Sequence, residues 1–243
     1  MKNKLYFITP SYNASTHLPD LYESLCEQTD KNWQWIILND MSLDNTFDVA
    51  KDIEQKDPLK RITVINHSEK KYALKGIYDQ LQNLKNSTDP KNTIIAIVDG
   101  DDSLCNECTV DIILNNYNKD NDLDALWTAH SWDINSQNIS NSMPEKINPY
   151  HFPWVSSHLK TFRLSTFLKI KEDNFKDLNG QWFVRGYDQV LYLPILHIAK
   201  NRKYVDDICY LYRINSNSIL HREDGERKQL NAVKLIRSRG YIK

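Results

Sequence analysis

The chain has 243 residues, 40% hydrophobic and 26% charged, enough to bury the core of one large domain or two small ones. Its 31 Lys and Arg against 32 Asp and Glu leave a formal charge of -1 and no basic stripe, which argues against a nucleic-acid partner. Apolar runs fall far short of the roughly 20 residues that span a bilayer, so no transmembrane segment is expected. MKNKLYFITPSYN lacks the apolar stretch of a signal peptide, so the expected location is cytoplasmic, compatible with peripheral attachment to a membrane.

In chain order, LYFIT (5–9), WQWIIL (33–38), RITVI (61–65) and TIIAIV (93–98) read as strands rich in Ile, Val, Tyr and Trp. Between them, Leu18, Leu21, Tyr22 and Leu25 fit one helical stripe. Phe47, Val49, Ala50 and Ile53 fit a second behind a candidate N-cap at Asp44. A third stripe runs through Ala73, Leu74, Ile77, Tyr78, Leu81 and Leu84. Strands alternating with helices predict right-handed crossovers and a mainly parallel sheet flanked by helices.

Further on, DALWTAH (124–130) reads as a strand and residues 133–153 as a surface excursion. SSHLKTFRLSTFLKI (156–170) reads as helical, and WFVRGYDQVLYLPILHIA contains a helix kinked by Pro194. KYVDDICYLYRI predicts two short strands, and EDGERKQLNAVKLIRSRG a terminal amphipathic helix. Of the cysteines Cys26, Cys105, Cys108 and Cys209, one pair forms a CxxC, but no second pair completes a zinc site, so ordinary reduced thiols are expected.

The polar clusters follow the strands. TPSYN comes after the first, NDMSLDNT after the second and DGDDS after the fourth, where sheets of this kind bind ligands. Asp99, Asp101 and Asp102 crowd one strand tip, and like charges there call for a hard divalent cation, Mn2+ or Mg2+, taking oxygen ligands shared with substrate phosphates.

These motifs resemble the nucleotide-sugar-dependent glycosyltransferases of family 2. The resemblance covers most of the chain in order and implies an α/β GT-A (Rossmann-like) fold with a smaller acceptor-side region. It implies a single domain over 1–243, with a nucleotide-sugar donor half to about residue 130 and an acceptor half with the C-terminal helix beyond it. Where the family pattern has Asp-Asp-Gly-Ser, this chain has Asn39-Asp40-Met41-Ser42, and the lost glycine suggests a different turn.

The implied activity is metal-dependent inverting transfer of a sugar from a UDP-sugar to a hydroxyl acceptor, in glycan or surface polysaccharide synthesis. Thr9, Pro10 and Tyr12 would line the uracil pocket, with Asp40 accepting from uracil N3–H; a helix cap is the other role for Asp40. Asp99 would touch the ribose or assist the metal, and Asp101 would ligate it. Lys71 or Lys75 would offset phosphate charge or stand solvated on a helix face. Asp188, in RGYDQ, would be the general base that takes the acceptor proton, where an ordinary helix N-terminus also favours an acid. Trp154 and His158 would face the acceptor, and His221 would reach the diphosphate or metal. A haloacid-dehalogenase-type phosphohydrolase also carries an Asp-x-Asp strand tip, but on its first core strand. A catalytically inactive sugar-nucleotide-binding protein is the non-enzyme alternative.

Overall fold

The computed structural model describes residues 2–214 and 225–243. Four strands, β1 (Lys4–Ser11), β2 (Trp33–Asn39), β3 (Ile62–Asn66) and β4 (Thr93–Ile97), form where the apolar runs predict them. The helices between them are α1 (Leu18–Cys26), α2 (Thr46–Lys56) and α3 (Tyr72–Leu84). Each buries most or half of its predicted stripe, with Tyr22, Phe47, Val49, Ala73 and Tyr78 only half-buried. Leu18, Leu21 and Leu25 of α1 are fully covered, and burial of such a side chain contributes about 1.5–3 kcal/mol.

The chain then adds β5 (Ser103–Leu104), α4 (Thr109–Lys119) and β6 (Leu123–Trp132). After the excursion come β7 (Lys160–Arg163), the short α5 (Leu164–Phe167), α6 (Tyr187–Ile198), β8 (Asn201–Tyr212) and α7 (Gly225–Arg239). The eight strands of the described residues join one sheet in the order β3-β2-β1-β4-β7-β6-β8-β5. Four of the seven neighbouring pairs are parallel, and β7 runs antiparallel to both β4 and β6.

Alternation along the strands feeds two cores. Ile94 and Ala96 of β4 pack on the face covered by α1 and α4, while Ile95 and Ile97 pack on the face covered by α3 and α6. Because β1 pairs with β2 on one side and β4 on the other, the chain leaves the carboxyl ends of β1 and β4 in opposite directions and opens a crevice there.

Two elements differ from the sequence expectation. Residues 160–163 form a strand instead of the start of a helix, with Phe162 buried opposite Ile95 and Lys160 beside Ile97. Arg163 fixes this arrangement by donating to the carbonyls of Leu123, Lys91, Tyr117 and Asp120 from a position only 4% exposed. Residues 201–212 form one long strand instead of two, and the polar Asp206-Asp207 pair marks a register shift against β6 and not a break.

The excursion over 133–153 is tied down at several points. Trp127 donates to the Asn141 carbonyl at 3.0 Å, and Arg202 holds the carbonyls of Pro144, Glu145 and Ile147. Among the described residues no helix is long and apolar enough to cross a membrane.

Candidate active site

The acidic loop leaves β4 after Ile97 and lies against the end of β1. Gly100 makes this approach possible, since a Cβ there would meet Ser11 Oγ at 2.8 Å and the Pro10 carbonyl at 3.3 Å. The loop is closed by Tyr210 of β8, whose hydroxyl accepts from the Asp99 amide at 3.1 Å and donates to Asp102 Oδ2 at 2.6 Å. Asp102 also accepts from the Arg213 amide at 2.8 Å and is buried. It therefore shapes the loop, while Asp99 and Asp101 remain partly open to the crevice.

Asp188 meets them from the other side. Gly186 takes a left-handed φ of 64° at the entrance to α6, and Asp188 follows in the first helical turn. Ligand atoms of Asp99, His158 and Asp188 lie within 4.8 Å of one another. Burial, reinforced by the nearby Asp188 carboxylate and Asp101, pushes the Asp99 carboxyl up to about 7, with Lys160 opposing. Tyr187 donates a hydrogen bond to Asp99 Oδ1.

Lys160, which the sequence reading did not single out, enters this cluster from β7. Its ammonium lies 2.5 Å from Asp188 Oδ1 and 3.3 Å from His158 Nδ1, and its side chain is 1% exposed. His158 is stacked on Tyr210 with ring centroids 4.6 Å apart and on Tyr212 at 5.3 Å. Burial, with Lys160 and His130 adding to it, holds the His158 imidazole well below its ordinary pKa.

On the nucleotide side the expected residues gather at the ends of β1 and β2. Thr9 is fully buried, and its hydroxyl accepts from the Trp35 indole at 2.8 Å; Pro10 is half-buried. Asp40 accepts from the consecutive amides of Lys71 and Tyr72 at 2.7 and 2.9 Å, so it caps α3 across the turn. Burial raises its pKa, but hydrogen bonds from His67, the Lys71 amide and Lys70 outweigh this and hold the carboxyl down at about 2.

Lys70 is the second residue sequence reasoning missed. Its ammonium sits 3.2 Å from the centre of the Tyr12 ring and 3.2 Å from Asp40 Oδ2. Met41 takes a left-handed φ of 56°, a region glycine adopts freely, so the turn keeps a glycine-like backbone despite the replacement. Lys71 and Lys75 both pair with Asp79, and Lys75 also lies 5.2 Å over the Trp182 ring. Trp154 is half-buried against the core on the α6 face. His221 lies outside the described residues.

The oxygen donors of Asp99 and Asp101 suit a hard divalent ion, and the raised Asp99 carboxyl is the mark of carboxylates short of positive charge.

Residues 6–192 match the family described as Glycosyl transferase family 2. The chain belongs to this family. It is a glycosyltransferase of GT-A fold, and the phosphohydrolase alternative is set aside. It is 25% identical over 238 residues to glycosyltransferase GlyG of Streptococcus pneumoniae, covering 92% of this chain and 75% of the relative. Its fold is similar to S. aureus TarS residues 1–349 in complex with UDP-GlcNAc, with a TM-score of 0.70 at 15% identity, covering 99% of this chain and 68% of that one. The Pyrobaculum calidifontis mannosyltransferase PcManGT, in complex with GDP-Man and Mn2+, aligns with a TM-score of 0.61 at 14% identity, over 90% of this chain and 59% of that one.

Proposed function

We propose that this glycosyltransferase moves a sugar from a UDP-sugar to a hydroxyl on a glycan or surface polysaccharide, with inversion and with Mn2+ or Mg2+ as cofactor. The observation that carries the reading is the convergence of Asp188 with the acidic tip of β4, where the ligand atoms of Asp99 and Asp188 lie within 4.8 Å of each other. Asp188 would thereby stand, as general base, beside the residues that would hold the metal and the diphosphate.

The donor half, to about residue 130, would hold the nucleotide. Asp40 and the Tyr12 face, which would receive the uracil, are both engaged by Lys70. That side chain is 33% exposed, so its withdrawal frees an Asp40 oxygen and the ring face together. Asp40 then accepts from uracil N3–H, a donor that cytosine lacks, and Lys70 is left near the donor as a mobile cation. Lys71 and Lys75 would contribute positive potential next to Asp79.

Asp101, with Asp99, would hold the ion, which supplies positive charge to the leaving diphosphate. In the acceptor half, Asp188 Oδ1 accepts from Lys160, so Oδ2 would be the oxygen that meets the acceptor hydroxyl. It takes the proton as the hydroxyl attacks the anomeric carbon from the face opposite the diphosphate. Trp154 would form part of the acceptor side. A cytoplasmic location fits a reaction that uses nucleotide sugars.

The structures of TarS with UDP-GlcNAc and of PcManGT with GDP-Man and Mn2+ support a nucleotide-sugar donor and a metal for this fold. The test is UDP release from a panel of UDP-sugars with Mn2+, with and without a chelator, and competition by CDP. Metal-dependent release from one UDP-sugar, inhibited by UDP far better than by CDP, is expected. Release that is indifferent to the chelator, or equal inhibition by UDP and CDP, would contradict the reading.

A further inference from the structure

We infer that Lys160 is the resident cation of the Asp99, His158 and Asp188 cluster, and the positioning residue that presents Asp188 to the acceptor. The second part rests on the reading of Asp188 as general base.

Two carboxylates and an imidazole whose ligand atoms lie within 4.8 Å of one another have the geometry of a divalent ion site. Here an ammonium already serves two of the three, at 2.5 Å from Asp188 Oδ1 and 3.3 Å from His158 Nδ1. Its position is imposed by the fold. β7 pairs Lys160 with Ile97 of β4 and with Trp127 of β6, so the side chain emerges two residues short of Asp99 on the neighbouring strand.

The partners are equally fixed. His158 is stacked on Tyr210 and Tyr212 and cannot turn away from the ammonium without breaking both contacts. Because Lys160 can only donate, His158 Nδ1 accepts and its ring proton is on Nε2. His158 Nδ1 and the Asp188 carboxylate therefore share one buried ammonium.

Two consequences follow for the reaction. The ammonium would compete with a divalent ion for this cluster, so that a metal would be held by Asp99 and Asp101 while Asp188 stays free of it. A metal-bound carboxylate is a poor proton acceptor, so this separation preserves the base. The same contact fixes one oxygen of Asp188 and so sets the direction of the other.

The test compares the wild-type chain with Lys160→Met, Asp188→Asn and the double variant. In a Mn2+ titration without nucleotide, read by electron paramagnetic resonance, Lys160→Met is expected to acquire a Mn2+ site that the wild type lacks, and the double variant to lose it. Equal Mn2+ binding by Lys160→Met and wild type would overturn the resident-cation role.

In steady-state transfer, Lys160→Met is expected to lower kcat by about 10²-fold while donor KM moves less than about threefold. On the Asp188→Asn background it should change kcat less than about twofold, because both residues act through one carboxylate. The same fold loss in both backgrounds would overturn the positioning role. Lys160→Gln, which loses the charge but can still donate to Asp188, decides both roles if the methionine variant does not fold. It is expected to acquire the Mn2+ site while keeping kcat within about threefold. Mn2+ binding equal to wild type or a kcat loss of about 10²-fold would overturn the resident-cation and the positioning role respectively. If the wild type neither binds UDP nor transfers sugar, the functional reading fails, and the Mn2+ titration still decides the role of Lys160.

Discussion

The Tyr210 hydroxyl donates to Asp102 Oδ2 at 2.6 Å and, from the same oxygen, accepts from the amide of Asp99. One phenol on β8 thus clamps both ends of the loop that carries Asp99 and Asp101.

Tyr210→Phe keeps the ring stacked on His158 but leaves the Asp99 amide and one Asp102 oxygen without this partner. A buried polar group left unmatched costs about 1–3 kcal/mol. Chemical denaturation should show a loss of that size, and calorimetry should show weaker metal-dependent UDP binding. Unchanged values of both would mean that the loop holds its shape without the clamp.

Asp40 links pH to stability. Its folded carboxyl is held at about 2, below the ordinary value of 3.8, so the stabilisation is fully present above about 4 and is lost as pH falls towards 2. Asp40→Asn should therefore cost about 2 kcal/mol at pH 7, a difference that closes between pH 4 and pH 2. A constant gap across that range, measured by urea unfolding, would assign the effect to packing alone.

The left-handed Met41 is 45% exposed, so its side chain contributes little packing. A non-glycine residue in this region costs about 1–2 kcal/mol, partly offset by the extra freedom glycine has when unfolded. Met41→Gly should raise stability by about 0.5–1 kcal/mol. A drop in melting temperature would show that the methionine makes contacts worth more than the backbone cost.

Much of this architecture is legible in the sequence, for identifiable reasons. The first four strands are short apolar runs bounded by polar turns, and their helices carry clean stripes, so local pattern and tertiary burial agree. The α4 stripe, Val110, Ile113, Leu114 and Tyr117, was equally available, with the 3-4-7 spacing of a helix. β7 was not legible. Residues 160–163 become a strand because Arg163 finds carbonyl partners on distant segments, which no local pattern records.

The same holds for the site. Asp99, Asp101 and Asp188 stand out by motif, and the fold brings Asp99 and Asp188 together. Lys160 gave no such signal, since a lysine between Leu159 and Thr161 reads as a solvated helix residue until β7 places it next to Ile97. Lys70 was hidden for a similar reason: its partners Tyr12 and Asp40 come from two other loops.

In the proposed reaction Asp188 performs proton transfer and does not bind the nucleotide. The most direct test measures Asp188→Asn twice, for UDP affinity by calorimetry with Mn2+ and for sugar transfer under single-turnover conditions. Asparagine keeps the size of the side chain, so UDP affinity should stay within about twofold while transfer falls by about 10²- to 10⁴-fold. Transfer at a near-native rate with unchanged stability would contradict the account and make Asp188 an ordinary residue of the first turn of α6.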